Sequence, residues 1–417
     1  MAEHRVLMIA YYFPPLGGAG VQRTVKFVKY LPQFGWQPQV LTAWASRYYT
    51  RDASLSKELP ADLSVSRAFA WNPILPSARL NRLFNPLWRW IFTPDTLASW
   101  LPAGARLGAR LLAQQPFDVI YSSAPPYTGH LIALRLKRAT SKPWVADFRD
   151  PWTQNPFLRY PSAFHERQNR AWEQAVLSEA DRVISPSPPI TEDLMRLVPD
   201  EPAAKFATIY NGYDPEDWAG QPEYARSDKF TVTYTGSLYG DRNAGPFLDA
   251  LGRLLGDGSL PRERIEIQFV GNTGVKPEIE RRGLGDVVQA CGYRTHPETV
   301  GYQRQADLLL LILPTSGGEG AVSGKIFEYL GSRRPILALV PPGGAAAGLI
   351  REAGAGFIVP PEDVDAIAGA LRQMYEAWTD GRLGETMDRQ VIGQYDRRFL
   401  TGRLAGYFDA LIGEGKT

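Results

Sequence analysis

The sequence predicts an α/β protein built from two successive doubly wound, Rossmann-like domains. Three observations lead there. The chain has 417 residues, and at roughly 100–200 residues per domain that suits two. Short apolar runs alternate with helical patterns along most of its length, as parallel strands joined by crossover helices require. The order strand, glycine loop, helix stands at 5–28 (RVLMIAYYFPPLGGAGVQRTVKFV) and restarts at 229–251 (KFTVTYTGSLYGDRNAGPFLDAL).

In chain order, 5–12 is apolar and reads as a buried first strand. The loop PPLGGAG leads into a helical pattern at 21–34, stopped by Gly35-Trp36, and 37–43 is the second strand. The loop lacks the G-x-G-x-x-G spacing of a dinucleotide fingerprint, so a tight turn and a ligand-approaching loop both remain open. Segment 79–112 mixes Trp88, Trp90, Trp100, Phe84 and Phe92 with Arg79, Arg82, Arg89, Arg106 and Arg110, and Asp95 is its only acid. Such a mixture suits an anionic membrane surface; an amphipathic packing segment with snorkelling arginines is the alternative. Residues 117–122 form a strand, and His130 stands at the start of the helix at 131–140. The stretch 143–152 (PWVADFRDPW) is a strand and loop carrying Asp147, Arg149 and Asp150, three charges that need partners or a polar ligand. A polar helix at 162–179 and strands at 180–187 and 207–218 follow.

Residues 215–228 are polar and rich in Pro and Gly, so they read as a linker. That divides the chain into a domain at 1–214, a second at 229–395, and a last helix within 396–417, expected to pack back on the first domain. The second domain continues with strands at 264–272 and 287–293, the leucine run 308–313, a strand at 335–340, and a strand and helix over 357–378. Asp363-Val364-Asp365 is a D-x-D pattern, explained by capping at a helix start.

The most informative stretch is 315–335, TSGGEGAVSGKIFEYLGSRRP. It follows the leucine run, and four of its glycines precede Lys325. Ser323 occupies an N-cap position, and 324–330 is helical, with Ile326 and Leu330 on one face and Glu328 turned away from it. A helix N-terminus behind a glycine loop is an anion site. Lys325 and Glu328 are three residues apart, so the alternatives are a solvated ion pair or a lysine on a phosphate beside a carboxylate holding ribose hydroxyls.

Composition narrows the class. Net charge is +2, which gives no reason to expect nucleic-acid binding. Cys291 is the single cysteine, so no intramolecular disulfide or cysteine zinc site forms. Four scattered histidines give no reason to expect a metal or other cofactor. The N-terminus enters a strand without a signal-peptide layout, and no apolar run approaches ~18 residues. The expectation is a cytoplasmic protein, peripheral on the inner face of the plasma membrane if 79–112 binds lipid.

The pieces YYFPPLGGAGVQR, DFRDPW, IYNGYD, YTGSL and SGKIFEYLGSRRPILAL together resemble retaining glycosyltransferases of the GT-B fold. The likeness is to glycosyltransferase family four, which contains sucrose-synthase-like and mannosyl-transferring enzymes and bacterial enzymes of cell-surface polysaccharide assembly. It implies two domains facing across a cleft, and a sugar moved from a nucleoside diphosphate sugar to a hydroxyl of a glycan or lipid-linked acceptor without a metal. By that likeness His130, Arg242 and Lys325 carry the catalysis. Gly17, Gly18, Gly236, Ser237, Glu319, Ser323, Gly324 and Glu328 hold the donor, and Arg149 and Asp150 face the acceptor. The family often shows two glutamates with seven residues between them; here eight separate Glu319 from Glu328. Glu319 would reach the sugar through a shifted loop, or the backbone N–H groups of 317–321 would replace it. The competing readings are a nucleotide-sugar epimerase or phosphorylase of the same fold, or a non-catalytic nucleotide-sugar-binding protein.

Overall fold

A computed structural model describes residues 4–44, 52, 54–72, 87–155, 158–219, 227–238, 241–315, 322 and 324–414. The chain forms two compact units, 1–210 with 397–417 (unit 1) and 211–396 (unit 2).

Unit 1 begins β1 (His4–Ala10), α1 (Ala19–Tyr30), β2 (Trp36–Ala43) and β3 (Ser64–Ala68). It continues α2 (Trp100–Gln114), β4 (Val119–Ala124), α3 (Thr128–Thr140), β5 (Trp144–Phe148), α4 (Ala163–Glu179), β6 (Arg182–Ser185), α5 (Pro188–Leu197) and β7 (Phe206–Thr208). All seven strands are parallel, in the order β3-β2-β1-β4-β5-β6-β7. Helices cover both faces of such a sheet, which is why β1 reads as a continuous apolar run and Val6 to Ile9 are fully buried. The strand order reverses between β1 and β4, and the loops leaving those two strands flank the switch point where doubly wound sheets bind ligands.

Unit 2 contains β8 (Phe230–Thr235), α6 (Gly245–Gly256), β9 (Ile265–Val270), α7 (Lys276–Arg281), β10 (Val288–Gly292), α8 (His296–Gln305), β11 (Leu308–Ile312) and α9 (Gly324–Ser332). Then come β12 (Ile336–Leu339), α10 (Ala345–Glu352), β13 (Gly356–Val359), α11 (Val364–Thr379) and α12 (Arg389–Gly393). Its parallel order is β10-β9-β8-β11-β12-β13, with the reversal between β8 and β11. The leucine run is the central strand β11, every residue buried.

The last helix, α13 (Arg397–Glu414), belongs to unit 1. It packs Phe408 edge-on against Trp36 at 5.0 Å, and Asp409 accepts from the Trp36 indole at 2.9 Å.

The structure refines several sequence expectations. The edge strand β3 and helices α5, α7, α8, α10 and α12 are not foreseen from the sequence; β3 is polar in three of five places and too short to carry a strand pattern. Segment 79–112 splits. Its C-terminal part is α2, a core helix: Trp100 is buried against Tyr11, and Gly104 and Gly108 admit Ile132 and Leu136, which would lie 2.5 and 2.6 Å from an added Cβ. Residues 87–91 are a helical turn with Trp90 and Ile91 more than half exposed, and 79–86 lie outside the described residues. No helix among the described residues is long and apolar enough to cross a membrane. In the D-x-D, Asp363 caps α11 by accepting from the Ala366 N–H at 2.9 Å.

Candidate active site

In unit 2 the sequence brings two glycine turns close together at the carboxyl ends of β8 and β9. Gly236 follows β8 at φ 106°, and its N–H donates to the Val270 carbonyl at 2.8 Å. Gly271 follows β9 at φ 121°, and a Cβ there would fall 2.4 Å from the Gly236 carbonyl oxygen. Only glycine holds both conformation and clearance at these places.

Lys325, on the first turn of α9, lies across Gly236: a Cβ on Gly236 would stand 2.4 Å from its Cε. Its Nζ donates to the Tyr234 hydroxyl at 2.7 Å and sits 4.4 Å from the centre of that ring. The Tyr234 hydroxyl in turn donates to the Ser237 carbonyl at 3.1 Å. Desolvation, with the positive charge of Arg242 added, lowers the Lys325 pKa to about 8, while Glu328 pulls the other way. Lys325 and Arg242 therefore place two cations near one loop.

Glu328 is half-buried, and its Oε2 accepts from Gln303 Nε2 at 3.2 Å; that nitrogen also reaches Thr235 Oγ1 at 3.2 Å. Gln303 is fully buried, and its Oε1 lacks a partner among the described residues. The next residue, Tyr329, ties the strands beneath: its hydroxyl accepts from the Thr235 N–H at 3.0 Å and donates to the Leu310 carbonyl at 3.2 Å. One helix thus offers a lysine and a carboxylate above and a strand cross-link below. Ser237 and Gly324 are exposed beside them. Glu319 and Ser323, with the loop 317–321, lie outside the described residues.

In unit 1, Gly17 is buried, and Gly18 opens α1 at φ 95° as its N-cap residue. His130 sits in the first turn of α3, fully buried, its Nδ1 2.8 Å from Ser122 Oγ and its ring 4.4 Å from that of Phe148. Its Nε2 lacks a partner among the described residues. Burial lowers its pKa to about 3, against the pull of Asp147 and with Arg149 adding to the fall. His130 is therefore a neutral imidazole at ordinary pH, and not an imidazolium.

The three charges of DFRDPW separate. Asp147 is inside β5 and fully buried, not in the loop that follows, because Arg23 of α1 meets it through two hydrogen bonds at 2.8 and 3.0 Å. The Tyr121 hydroxyl donates to the same carboxylate at 2.5 Å, and Arg23 also reaches the Tyr210 carbonyl at 2.9 Å. Arg149 was expected to face the acceptor. Its guanidinium donates to the carbonyls of Gly20, Pro125 and Ala124, tying the first turn of α1 and the end of β4 to the end of β5. These contacts fix where its guanidinium stands. Asp150 alone of the three is exposed.

Sequence reading missed Tyr234, Tyr329, Gln303 and Arg23. Their role depends on strands far apart in sequence, and only the Arg in YYFPPLGGAGVQR, paired with the first Asp of DFRDPW, carried a signal that could have been used.

Two doubly wound parallel units, with glycine turns and a helix N-terminus at the strand ends, define the GT-B class. A family model described as a glycosyl transferase 4-like domain matches residues 17–212, and one described as glycosyl transferases group 1 matches 229–377. Between them they take in most of the chain, which belongs to these glycosyltransferases and carries out glycosyl transfer. No curated protein matches it. Among solved structures, a glycosyltransferase from Rickettsia africae is similar at TM-score 0.66 and 14% identity, over 99% of each chain. A sucrose-phosphate synthase from Thermosynechococcus elongatus is similar at 0.68 and 15%, over 99% of this chain and 100% of that one. An E. coli trehalose-6-phosphate protein bound with UDP-2-fluoro glucose is similar at 0.63 and 12%, over 97% and 98%. At such identities the likeness shows the shared fold.

Proposed function

We propose that the enzyme moves a hexosyl group from a nucleoside diphosphate sugar to a hydroxyl of a glycan or lipid-linked acceptor, with retention and without a metal. The observation that carries this is Lys325, held over Gly236 beside Arg242 and one helical turn from Glu328. Two fixed cations at the end of β8 suit a diphosphate, and a carboxylate positioned by Gln303 suits two ribose hydroxyls. A similar fold holds UDP-2-fluoro glucose, which supports a nucleotide-sugar donor.

The reaction breaks the bond between sugar C1 and the β-phosphate oxygen and forms one from C1 to the acceptor oxygen. Negative charge grows on the departing diphosphate. Lys325, Arg242 and the N–H groups at the start of α9 stabilise it, so no metal is required for that task. A phosphate oxygen takes the acceptor proton, and attack on the face the diphosphate leaves retains configuration. His130, neutral, contributes a hydrogen bond to the sugar through Nε2 and no charge. Gly17 and Gly18 approach the donor from unit 1, Ser237, Ser323 and Gly324 meet the diphosphate, Glu319 meets the sugar, and Asp150 meets the acceptor.

The enzyme works at the cytoplasmic face of the plasma membrane in polysaccharide assembly. The support is the helical turn at 87–91, which exposes Leu87, Trp90 and Ile91 beside Arg89. Flotation with vesicles containing anionic lipid tests this: co-flotation is expected, and its absence removes the membrane claim. Release of nucleoside diphosphate from a panel of donors, with and without acceptor, tests the reaction.

A further inference from the structure

Unit 1 holds a cavity of about 190 Å³ between residues 92–96, Tyr127 and the N-terminal end of α4. We propose that this pocket receives the phosphate of an amphiphilic acceptor, with the hydrocarbon chain running out over Trp90, Ile91 and Phe164. The proposal rests on the glycosyltransferase reading above and names the acceptor's chemical class.

Four observations point to an anion. Arg89 and Arg159 line the pocket, both are exposed, and neither has an ion-pair partner among the described residues. The Tyr160 hydroxyl lines it too, buried and without a hydrogen-bond partner among the described residues, a donor left open. The first turn of α4, a 17-residue helix, has no side-chain cap: the Ser162 hydroxyl bonds His165 Nδ1 instead, at 2.8 Å. Its N–H groups and dipole favour negative charge. Two of the nearby acids are committed elsewhere: Asp95 accepts from the Thr128 N–H and hydroxyl and the Leu97 N–H, and Glu166 pairs with Arg170. Glu173 accepts from Thr153 through Oε2, while its buried Oε1 has no partner among the described residues and its charge acts on Tyr160 against the anion.

The chain is inferred from what rims the pocket. Trp90 packs edge-on to His165 at 5.1 Å, and Phe164 at 5.7 Å. Both rings and Ile91 are more than half exposed, an apolar surface directly beside an anion site. The pocket lies beyond the ends of β4 and β5, and Tyr127, which lines it, immediately precedes the helix carrying His130.

The test is calorimetric titration of the full chain with dodecyl phosphate below its micelle concentration, with inorganic phosphate and dodecyl maltoside as comparisons. Dodecyl phosphate should bind more tightly than either. The double variant Arg89→Ala/Arg159→Ala should weaken it about tenfold or more, and Tyr160→Phe should weaken it by a smaller factor. Equal binding of dodecyl maltoside would show greasy adhesion only. Equal binding of inorganic phosphate would show a site for free phosphate. Unchanged binding by the double variant, or no binding at all, would remove the pocket from acceptor recognition; each of these overturns the proposal. UDP titrated into the same samples separates the two readings. Loss of UDP binding in the wild type rejects the donor site, whatever the amphiphile does.

Discussion

Lys325 carries its charge against desolvation and against Arg242, and its pKa falls to about 8. The cation is present below that pH and lost above it, so affinity for a nucleoside diphosphate should fall as pH rises through about 8, and Lys325→Met should bind weakly with little such dependence. Titration calorimetry across pH 6.5–9.5 checks this. Stability moves the other way. Between about 8 and the ordinary lysine value the unfolded chain holds the proton that the folded chain has released, so Lys325 makes stability rise with pH there. Denaturant melts of the wild type should show that rise, and Lys325→Met should lack it. His130 behaves likewise at lower pH. Its folded pKa is about 3, so below about 6.5 the unfolded chain binds a proton that the folded chain refuses, and stability falls as the medium is acidified. His130→Gln should reduce the acid slope of the unit 1 melt. A histidine inflection near pH 6.5 in the rate profile would contradict a neutral His130.

At the scale of elements, α9 carries Lys325 and Glu328 at the end of β8 and braces the strands beneath through Tyr329. Tyr329→Phe removes the hydroxyl between the Thr235 N–H and the Leu310 carbonyl, and the cost should be about 1–3 kcal/mol in denaturant melts. Gly236→Ala places a Cβ 2.4 Å from Lys325 Cε at φ 106°, and should abolish nucleoside diphosphate binding while the far-ultraviolet circular dichroism persists. In unit 1, Asp147→Ala removes the carboxylate that meets the buried Arg23 through two hydrogen bonds, and should cost about 3–5 kcal/mol in that unit's transition. The elements differ in how legible they were. β11 and α9 announced themselves, one as an unbroken leucine run and the other as a glycine loop followed by an apolar stripe. β3 did not, since a polar edge strand has no period to read. Asp147 looked like a loop charge because its partner, Arg23, is 124 positions away in sequence. Lys325 and Glu328 were legible because helical spacing is local. Tyr234 and Gln303, which hold them, were not, because strand adjacency at the switch point is not written in spacing.

For the whole molecule, the repeat of strand, glycine loop and helix was enough to give two doubly wound domains, and both sheets are parallel with a reversal where the glycine turns stand. Segment 79–112 was harder, because Trp and Arg interleaved serve a core helix at α2 and an exposed turn at 87–91 equally well. What joins the levels is the claim that unit 2 holds a nucleoside diphosphate sugar through Lys325 and Glu328. Each contact should be worth a charge-assisted hydrogen bond or more. The most direct measurement is calorimetric titration of UDP and its sugar conjugates, with the other nucleoside diphosphates beside them, into the wild type, Lys325→Ala and Glu328→Gln. One nucleoside diphosphate series should bind the wild type, and each variant should lose about tenfold or more, with the melts of both units unchanged in position for Glu328→Gln. Wild-type binding that neither substitution weakens would contradict the account.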